Sequence, residues 1–379
     1  MSPLPSKLPS TYSKIVLRER PKAEIKPSLT DGQGTFSLVE GVPLPSKSDL
    51  KPDQVLVQVE WVSVDPAQRG WLNDARSYVP PVKIGEIMRA GGVGRIVLVP
   101  EGSKFKVGDW VNGERSWSHV QQRGGTNTLE HSGTLGWTEY AVARTKDLEK
   151  ISVTKDIEPS YYLGALGMPM QTAYWGLMDV AKIKKGDRVV VTGAAGAVGS
   201  VACQIALLKG CEVFAIAGGK EKCEWLKNEI GVKNVVDYKD KDFTTNYKNM
   251  LGKQGVDAIL ENVGGSILDL LLTRLNKNAR VALCGAISAY NSPNPRGLSN
   301  YLTLISQRAK IEGFIVFDYA DRYEEAFQQV GQWISEGKLK IRETRKYGLT
   351  ESVNALRALF EGGNTGKMVV KIAADGPKL

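Results

Sequence analysis

The sequence has few of the residues that build metal sites and disulfide frameworks. Its 379 residues include two histidines and four cysteines. The cysteines are Cys203, Cys211, Cys223 and Cys284. None of them has Cys-x-x-Cys spacing, and His119 and His131 lie in a polar stretch where a surface role is more common than a ligand role. We therefore predict no metal site, and we interpret the cysteines as reduced thiols of a cytoplasmic protein.

Long apolar runs and segregated charge are also missing. No run approaches the roughly 20 apolar residues that a membrane-spanning helix requires, and residues 1–27 contain no apolar signal core. The net charge is +9, but the lysines are interleaved with Asp and Glu, which is typical of a solvated surface. We expect neither a membrane nor a nucleic acid as partner.

What the sequence does contain is a short apolar run that leads into a glycine-rich turn and a helical pattern. Residues 189–191 are valines, and apolar positions at helical spacing follow from Val198. Glycine allows the turn and lets the main chain approach a pyrophosphate, which then lies at the positive end of the helix. The spacing Gly-x-x-Gly-x-x-Gly is not the common one, so the glycines alone also fit an ordinary strand-turn-helix. The predicted phosphate-binding residues are Gly193, Gly196, Ala197, Val198 and Gly199.

Five further short apolar runs alternate with helical segments after this turn. They are residues 211–217, 235–238, 256–263, 281–287 and 311–317. Such alternation predicts parallel βαβ units, and six strands make a doubly wound α/β sheet of the Rossmann type. Ligands of such sheets bind at the carboxyl ends of the strands, so functional residues are expected after each run.

The rest of the chain has a different pattern. Between Lys14 and Ala143, short alternating segments with Gly and Pro punctuation predict a β-rich domain, and residues 158–178 resemble a helix that leads out of it. A final apolar strand at 367–372 is left over after the complete sheet and should return to the β-rich domain. We therefore predict a β-rich domain of residues 1–161 and 334–379, with a cofactor-binding domain of residues 162–333 inserted in it.

The motifs of these segments resemble those of the zinc-independent leukotriene B4 dehydrogenase/prostaglandin reductase family of medium-chain dehydrogenases/reductases. The resemblance covers about Lys14 to Ile372. The motifs are VDPAQRG at 64–70, GMP at 167–169, TAY at 172–174, AAGAVGS at 194–200, EKC at 221–223, ENVGG at 261–265, CGAIS at 284–288, GFIVF at 313–317 and NTGK at 364–367. The resemblance implies a GroES-like fold for the β-rich domain and a homodimer formed by pairing of sheet edges, with the apolar sixth strand (residues 313–317) at the edge.

The same resemblance implies further cofactor-binding residues and two departures. The implied residues are Asn262, Cys284, Ile287, Ser288, Phe314, Val316 and Asn364. The family often has Tyr-Met where this chain has Ala67-Gln68, and a glycine after the Gly-Met-Pro motif where this chain has Met170-Gln171. Both departures are expected at the wall of the active site, so the substrate preference does not carry over.

The end of the second predicted strand favours NADPH over NADH. An NAD site places an acidic residue there to bind the ribose 2′-hydroxyl, whereas this strand runs into Gly218 and leaves space for a phosphate. Lys222 matches the family's lysine and would supply the cation, although it also fits an ordinary surface charge next to Glu221. Tyr238, after the third strand, should flank the adenosine ribose.

Without a metal, the hydride acceptor must be activated by hydrogen bonds. An α,β-unsaturated ketone or aldehyde suits this, because hydride addition at the β-carbon moves charge to the carbonyl oxygen, where a donor can stabilise it. We predict that Tyr290, after the fifth strand, is this donor, although its segment also fits a plain turn. Tyr78, in a proline-rich loop, is a second candidate that also fits a packing role.

Two other functions fit parts of the sequence. A quinone reductase would use the same hydride geometry on a different acceptor. A nucleotide-bound RNA-binding protein is permitted by the basic charge, but no RNA-recognition module or aromatic-basic stacking surface is visible. The favoured interpretation is an NADPH-dependent double-bond reductase that acts on a small enone or enal.

Overall fold

The structure is a computed structural model that describes Leu4 and residues 7–113 and 135–372. It divides into two units. The first contains Met1–Gly167, Glu343–Gly363 and Met368–Leu379, and the second contains Met168–Arg342 and Asn364–Lys367. The divisions predicted from the sequence are at 161/162 and 333/334. His119 and His131, and most of the loop that contains them, lie outside the described residues.

Strands dominate the described part of the chain before Gly167. They are β1 (Thr11–Leu17), β2 (Phe36–Pro43), β3 (Gln54–Ser63), β4 (Gly92–Leu98), β5 (Trp110–Asn112), β6 (Tyr140–Arg144) and β7 (Glu149–Lys150). β1 pairs with β2, and β3 pairs with both β4 and β6, all antiparallel. Valines 55, 57 and 59 of β3 are fully buried, which explains the apolar character of that run. This confirms a β-rich first part.

The second unit is built on six parallel strands. They are β8 (Arg188–Thr192), β9 (Glu212–Ala217), β10 (Asn234–Asp237), β11 (Val256–Glu261), β12 (Leu275–Leu283) and β13 (Lys310–Gly313). Their order in the sheet is β10-β9-β8-β11-β12-β13. The order reverses between β8 and β11, which is the point where doubly wound sheets bind their ligands. The predicted six-stranded Rossmann sheet is confirmed.

The chain returns to the first unit through two more strands, β14 (Glu343–Tyr347) and β15 (Lys367–Lys371). β15 pairs antiparallel with β3, and the larger sheet of this unit has the order β14-β15-β3-β4-β5-β7. The described helices are α1 (Ala67–Gly70), α2 (Met168–Trp175), α3 (Ala197–Leu208), α4 (Lys220–Trp225), α5 (Phe243–Leu251), α6 (Gly265–Leu272), α7 (Thr303–Gln307), α8 (Tyr323–Ser335) and α9 (Glu351–Glu361). No helix of the described residues is long and apolar enough to cross a membrane.

Three predicted elements end elsewhere in the structure. The fifth strand of the sheet stops at Leu283 and not at Ile287, which lies in a short 3-10 turn. The sixth strand is Lys310–Gly313, and Phe314 instead packs its ring against Gly176. The helix predicted at 158–178 is broken, because the backbone of Gly164 leaves the helical region between a 3-10 turn at Pro159–Leu163 and α2.

Candidate functional site

The glycine-rich turn joins β8 to α3 as predicted. Gly193 has φ of +58°, and its carbonyl accepts the Gly196 amide at 2.9 Å. A Cβ on Gly199 would lie only 2.3 Å from the Gly193 carbonyl oxygen. Glycine is thus required twice, once for the backbone angle and once for the close approach of helix and strand.

α3 begins at Ala197, with Gly196 as its N-cap. The amides of Ala197, Val198 and Gly199 are in the first helical turn, where a helix provides no internal acceptor for them. They point out of a helix N-terminus, where the dipole also favours an anion. These residues can hold a phosphate group.

The predicted residue Asn364 lies beside this turn. The amide of Gly366 donates to the carbonyl of Ala195 at 2.7 Å, and Asn364 Nδ2 donates to the carbonyl of Gly366 at 2.8 Å. Gly366 has φ of +71°, and a Cβ there would lie 1.9 Å from the Arg342 carbonyl oxygen. The NTGK segment therefore packs on the glycine-rich turn, and only glycine fits where the segment passes the Arg342 carbonyl.

Gly218, Lys222 and Tyr238 come together at the ends of β9 and β10. The ring of Tyr238 covers Gly218, since a Cβ on Gly218 would lie 2.6 Å from two ring carbons. Burial lowers the pKa of Lys222, and the positive charge of Lys239 lowers it further. Sequence reasoning missed Lys239, which directly follows the tyrosine. Two lysines close enough to repel each other are suited to bind an anion.

Two acidic residues near these lysines have partners within the protein. Asp237 Oδ1 accepts the backbone amides of Gly219 and Lys239, both at 2.8 Å. Glu221, which stood against an NADPH site, forms an ion pair with Arg342 at 3.2 Å. Both carboxylates thus have other partners, and the negative charge of Glu221 also acts to raise the pKa of Lys222.

A polar network joins the ends of β8 and β11. Glu261 is fully buried, and its Oε1 accepts hydrogen bonds from Thr192 Oγ1 at 2.9 Å and from the amides of Val263 and Gly264 at 2.6 and 2.7 Å. Asn262 donates its side-chain amide to the Thr192 carbonyl at 2.7 Å. Burial raises the pKa of Glu261, although these hydrogen bonds act to lower it. Sequence reasoning identified Asn262 but gave no role to Thr192 or Glu261.

The loop after β12 carries four of the predicted residues. Tyr290 Oη accepts the amide of Ala286 at 3.1 Å, and Ser288 Oγ donates to the carbonyl of Val263 at 2.6 Å. Burial raises the pKa of the Cys284 thiol to about 12, so the thiol is protonated at neutral pH. Ile287 begins the 3-10 turn between these residues. Tyr290 is thus held at the carboxyl end of the sheet.

Phe314 and Val316 follow β13, with Phe314 packed edge-on against Tyr319 at 6.5 Å between ring centroids. The carbonyl of Val316 accepts the Tyr323 hydroxyl at 3.0 Å. Tyr78 belongs to the first unit, where its side chain is 38% exposed. The structure therefore brings the predicted residues of the second unit to the carboxyl ends of its strands, whereas Tyr78 lies in the first unit.

The two departures from the family motifs have local structural roles. Gln68 is fully buried, and its amide accepts the Asp65 amide at 3.1 Å and donates to the Ser63 carbonyl at 3.2 Å. Gln171 donates to the Tyr323 carbonyl at 2.9 Å and accepts the Trp175 indole N–H at 3.0 Å. The polar groups of both glutamines are hydrogen-bonded within the protein, and the position of the two departures at the wall of the active site stays a prediction.

Within residues 7–113 and 135–372, no three His, Cys, Asp or Glu side chains are grouped as metal ligands.

Two family models match the chain, one described as the N-terminal domain of oxidoreductase at residues 14–130 and one described as zinc-binding dehydrogenase at residues 197–336. The NADPH-dependent curcumin reductase of Escherichia coli is 36% identical over 88% of this chain and 94% of its own length. The chain belongs to the zinc-independent medium-chain dehydrogenase/reductase family.

Other members of this family support the assignment. The NADP(+)-dependent 2-alkenal reductase of Nicotiana tabacum is 36% identical over 85% of this chain and 88% of its own length. The crystal structure of CurA from Vibrio vulnificus in complex with NADPH has a TM-score of 0.80 and 36% identity, and covers 96% of this chain and 99% of its own. As a member of this family, the chain is an oxidoreductase.

Proposed function

We propose that this protein is an NADPH-dependent reductase of the carbon-carbon double bond of α,β-unsaturated ketones and aldehydes. Its family contains the curcumin and 2-alkenal reductases described above. The choice of NADPH rests on the residues at the end of β9. Gly218 lies where an NAD site has an acidic residue, and Lys222 lies within electrostatic reach of Lys239. A ribose 2′-phosphate is the anion expected at this position of a dinucleotide site.

The residues of the second unit fit such a cofactor. The amides of Ala197, Val198 and Gly199 would bind the pyrophosphate, and the lysine pair would bind the 2′-phosphate. Tyr238, 37% exposed, would contact the adenosine ribose. Bound NADPH supplies the hydride for the β-carbon of the substrate.

Tyr290 is proposed as the hydrogen-bond donor to the substrate carbonyl. Its oxygen accepts the Ala286 amide at 3.1 Å, which fixes the position of the phenol and makes its O–H a stronger donor, because hydrogen bonds in a chain polarise one another. The O–H then stabilises the negative charge that develops on the carbonyl oxygen during hydride addition. The resulting enolate takes up a proton at its α-carbon. Tyr78 is the alternative donor, with the first unit as its scaffold.

The decisive experiment measures NADPH consumption with matched substrates. An enone, an enal, the corresponding saturated ketone and aldehyde, and a quinone are compared, and products are identified by mass spectrometry. We expect the enone and enal to gain two hydrogens at the double bond while the saturated carbonyls are unchanged. Consumption with the quinone alone would identify a quinone reductase, and reduction of the saturated carbonyls would overturn the proposal.

We also propose that the protein is a cytoplasmic homodimer. β13 is one of the two edge strands of the Rossmann sheet, and Tyr301, Leu302 and Ile305 just before it are 55, 60 and 73% exposed. Open sheet edges and clustered apolar side chains are usually covered in native proteins. A second copy of the chain is the proposed partner.

A further inference from the structure

We propose that Glu261 is a positioning residue that holds the strand ends in the arrangement needed by the nicotinamide half of the cofactor. This inference rests on the proposed function, because it presumes that the chain binds NADPH. Dinucleotides lie across the point where the strand order of a doubly wound sheet reverses, with one half of the cofactor on each side. In this sheet the reversal lies between β8 and β11. Glu261 is the last residue of β11.

The carboxylate joins the two strands through one oxygen. Glu261 Oε1 accepts the hydroxyl of Thr192, the last residue of β8, at 2.9 Å. The same hydroxyl oxygen accepts the backbone N–H of Asn262 at 2.8 Å. The threonine hydroxyl therefore links the carboxylate to the chain just after β11. Movement of the carboxylate would therefore release both strand ends together.

The same oxygen also fixes the start of α6. Oε1 accepts the amides of Val263 and Gly264, and Gly264 is the N-cap of that helix. These two amides lie between Asn262 and the body of the helix, so the carboxylate sets the path of the chain at the point where it leaves the sheet.

The network lies directly against the glycine-rich turn. A Cβ on Gly193 would be 3.5 Å from Asn262 Cβ and 3.6 Å from Val263 Cγ2. The segment that Glu261 organises is thus in contact range of the turn that would bind the pyrophosphate. A change at Glu261 should be felt at the turn and at Asn262, and not at the lysine pair beyond β9.

The second carboxylate oxygen shows that this arrangement has an energetic cost. Glu261 Oε2 is buried and has no hydrogen-bond partner in the described part of the chain. A buried polar atom without a partner is unfavourable, and such atoms are rare in native proteins. A residue needed only for packing would not require a carboxylate here, so the cost is consistent with a role in placing the ligand-binding segments.

The test compares the dissociation constants of NADPH and of adenosine 2′-monophosphate, which contains the adenosine and the 2′-phosphate but no phosphate for the glycine-rich turn. Glu261→Gln keeps the size of the side chain but weakens the acceptor, and Thr192→Val removes the relaying hydroxyl at nearly constant shape. We expect both variants to bind NADPH roughly tenfold more weakly, with the affinity for adenosine 2′-monophosphate within about twofold of wild type. Thr192→Ser keeps the hydroxyl and should restore NADPH binding.

Lys222→Ala is the matched control, because it removes a contact of the adenosine half and should weaken both ligands. Wild-type affinity for NADPH in Glu261→Gln and Thr192→Val, or equal weakening of both ligands, would overturn the positioning role. If Glu261→Gln does not fold, the Thr192→Val and Thr192→Ser pair decides the question. Failure of the wild-type protein to bind NADPH at all would overturn the proposed function and this inference with it.

Discussion

Tyr290 combines a fixed position with a donor group, and its substitution separates the two. Tyr290→Phe keeps the ring and removes the hydroxyl that accepts the Ala286 amide. We expect turnover with an enone to fall roughly 10²–10³-fold, as for other donors that act on the transition state, while the dissociation constant of NADPH stays unchanged. Tyr301→Phe, at a tyrosine that is 55% exposed, is the control. Wild-type turnover in Tyr290→Phe would transfer the role to Tyr78.

The proposed role of Lys222 is to favour NADPH over NADH. Lys222→Ala should raise the Michaelis constant for NADPH at least about tenfold, since a charge-assisted contact to a phosphate is lost, and should leave that for NADH unchanged. Lys220→Ala changes a neighbouring lysine of the same helix whose side chain is 89% exposed, and it should have little effect. An unchanged constant for NADPH in Lys222→Ala would show that this lysine is an ordinary surface charge.

Glu261 should make stability depend on pH. Burial raises its pKa in the folded protein above the value of about 4.3 in an unfolded chain. Between these two values the folded protein keeps a proton that the unfolded chain has lost, so the free energy of unfolding falls as pH rises through this window. Glu261→Gln does not titrate, and its stability relative to wild type should therefore increase with pH above about 4.3. Urea unfolding of both proteins at several pH values measures this, and parallel curves would contradict it.

The turn between β8 and α3 depends on a close approach of two elements. In Gly199→Ala the new methyl group would meet the Gly193 carbonyl oxygen at 2.3 Å and Ala194 Cα at 2.7 Å, so the backbone of the helix must move. Overpacking of this kind costs about 1–3 kcal/mol, and we expect NADPH binding to weaken more than about tenfold as the helix N-terminus shifts.

The control for this variant is Gly331→Ala in α8, where no atom lies within 4 Å of the new methyl group. Alanine is favoured over glycine inside a helix by up to about 1 kcal/mol, so this variant should be at least as stable as wild type and bind NADPH equally well. Calorimetric melting and NADPH titration of both variants measure the two effects. If both variants have the same melting temperature and the same affinity for NADPH, the close packing of α3 on β8 determines neither property.

Sequence reasoning predicted well those strands that are buried on both faces, because their residues are mostly apolar. β8, β9 and β11 are buried on both faces and appear as apolar runs. β14 (Glu343–Tyr347) was missed because its residues are mainly charged or polar, so no alternation marks it. Its position is fixed by pairing within the sheet, which depends on segments far away in the chain.

The candidate site divides in the same way. The glycines of the turn and Lys222 belong to short local motifs and were predicted as site residues. Thr192 and Glu261 were not predicted, because they meet only when two strands whose ends are 69 residues apart in the sequence lie side by side. Lys239 was not predicted either, because its effect on Lys222 depends on how the chain folds. A turn requires particular residues at fixed positions, so a local sequence pattern can predict it. The residues of a polar network between strands have no fixed spacing in the sequence.

At the scale of the whole molecule, the surface near β13 combines a sheet edge with exposed apolar side chains. β13 is an edge strand, and its charged residues Lys310 and Glu312 pair with each other at 2.7 Å. Their mutual neutralisation reduces the charge that would otherwise protect the edge from pairing. The exposed side chains of Leu302 and Ile305 extend the same region with apolar surface.

If a second copy covers this region, a charge placed in it should separate the copies. We expect the wild-type protein to sediment as a dimer and Ile305→Asp to shift it toward a monomer, because burying an unpaired carboxylate at an interface is costly. Ile84→Asp, at a first-unit residue that is 63% exposed, controls for the general effect of the substitution and should remain dimeric. Sedimentation over a concentration series measures all three proteins. A wild-type monomer at every concentration would contradict the dimer, and a dimeric Ile305→Asp would place the interface elsewhere, so the two results separate the existence of the dimer from its position.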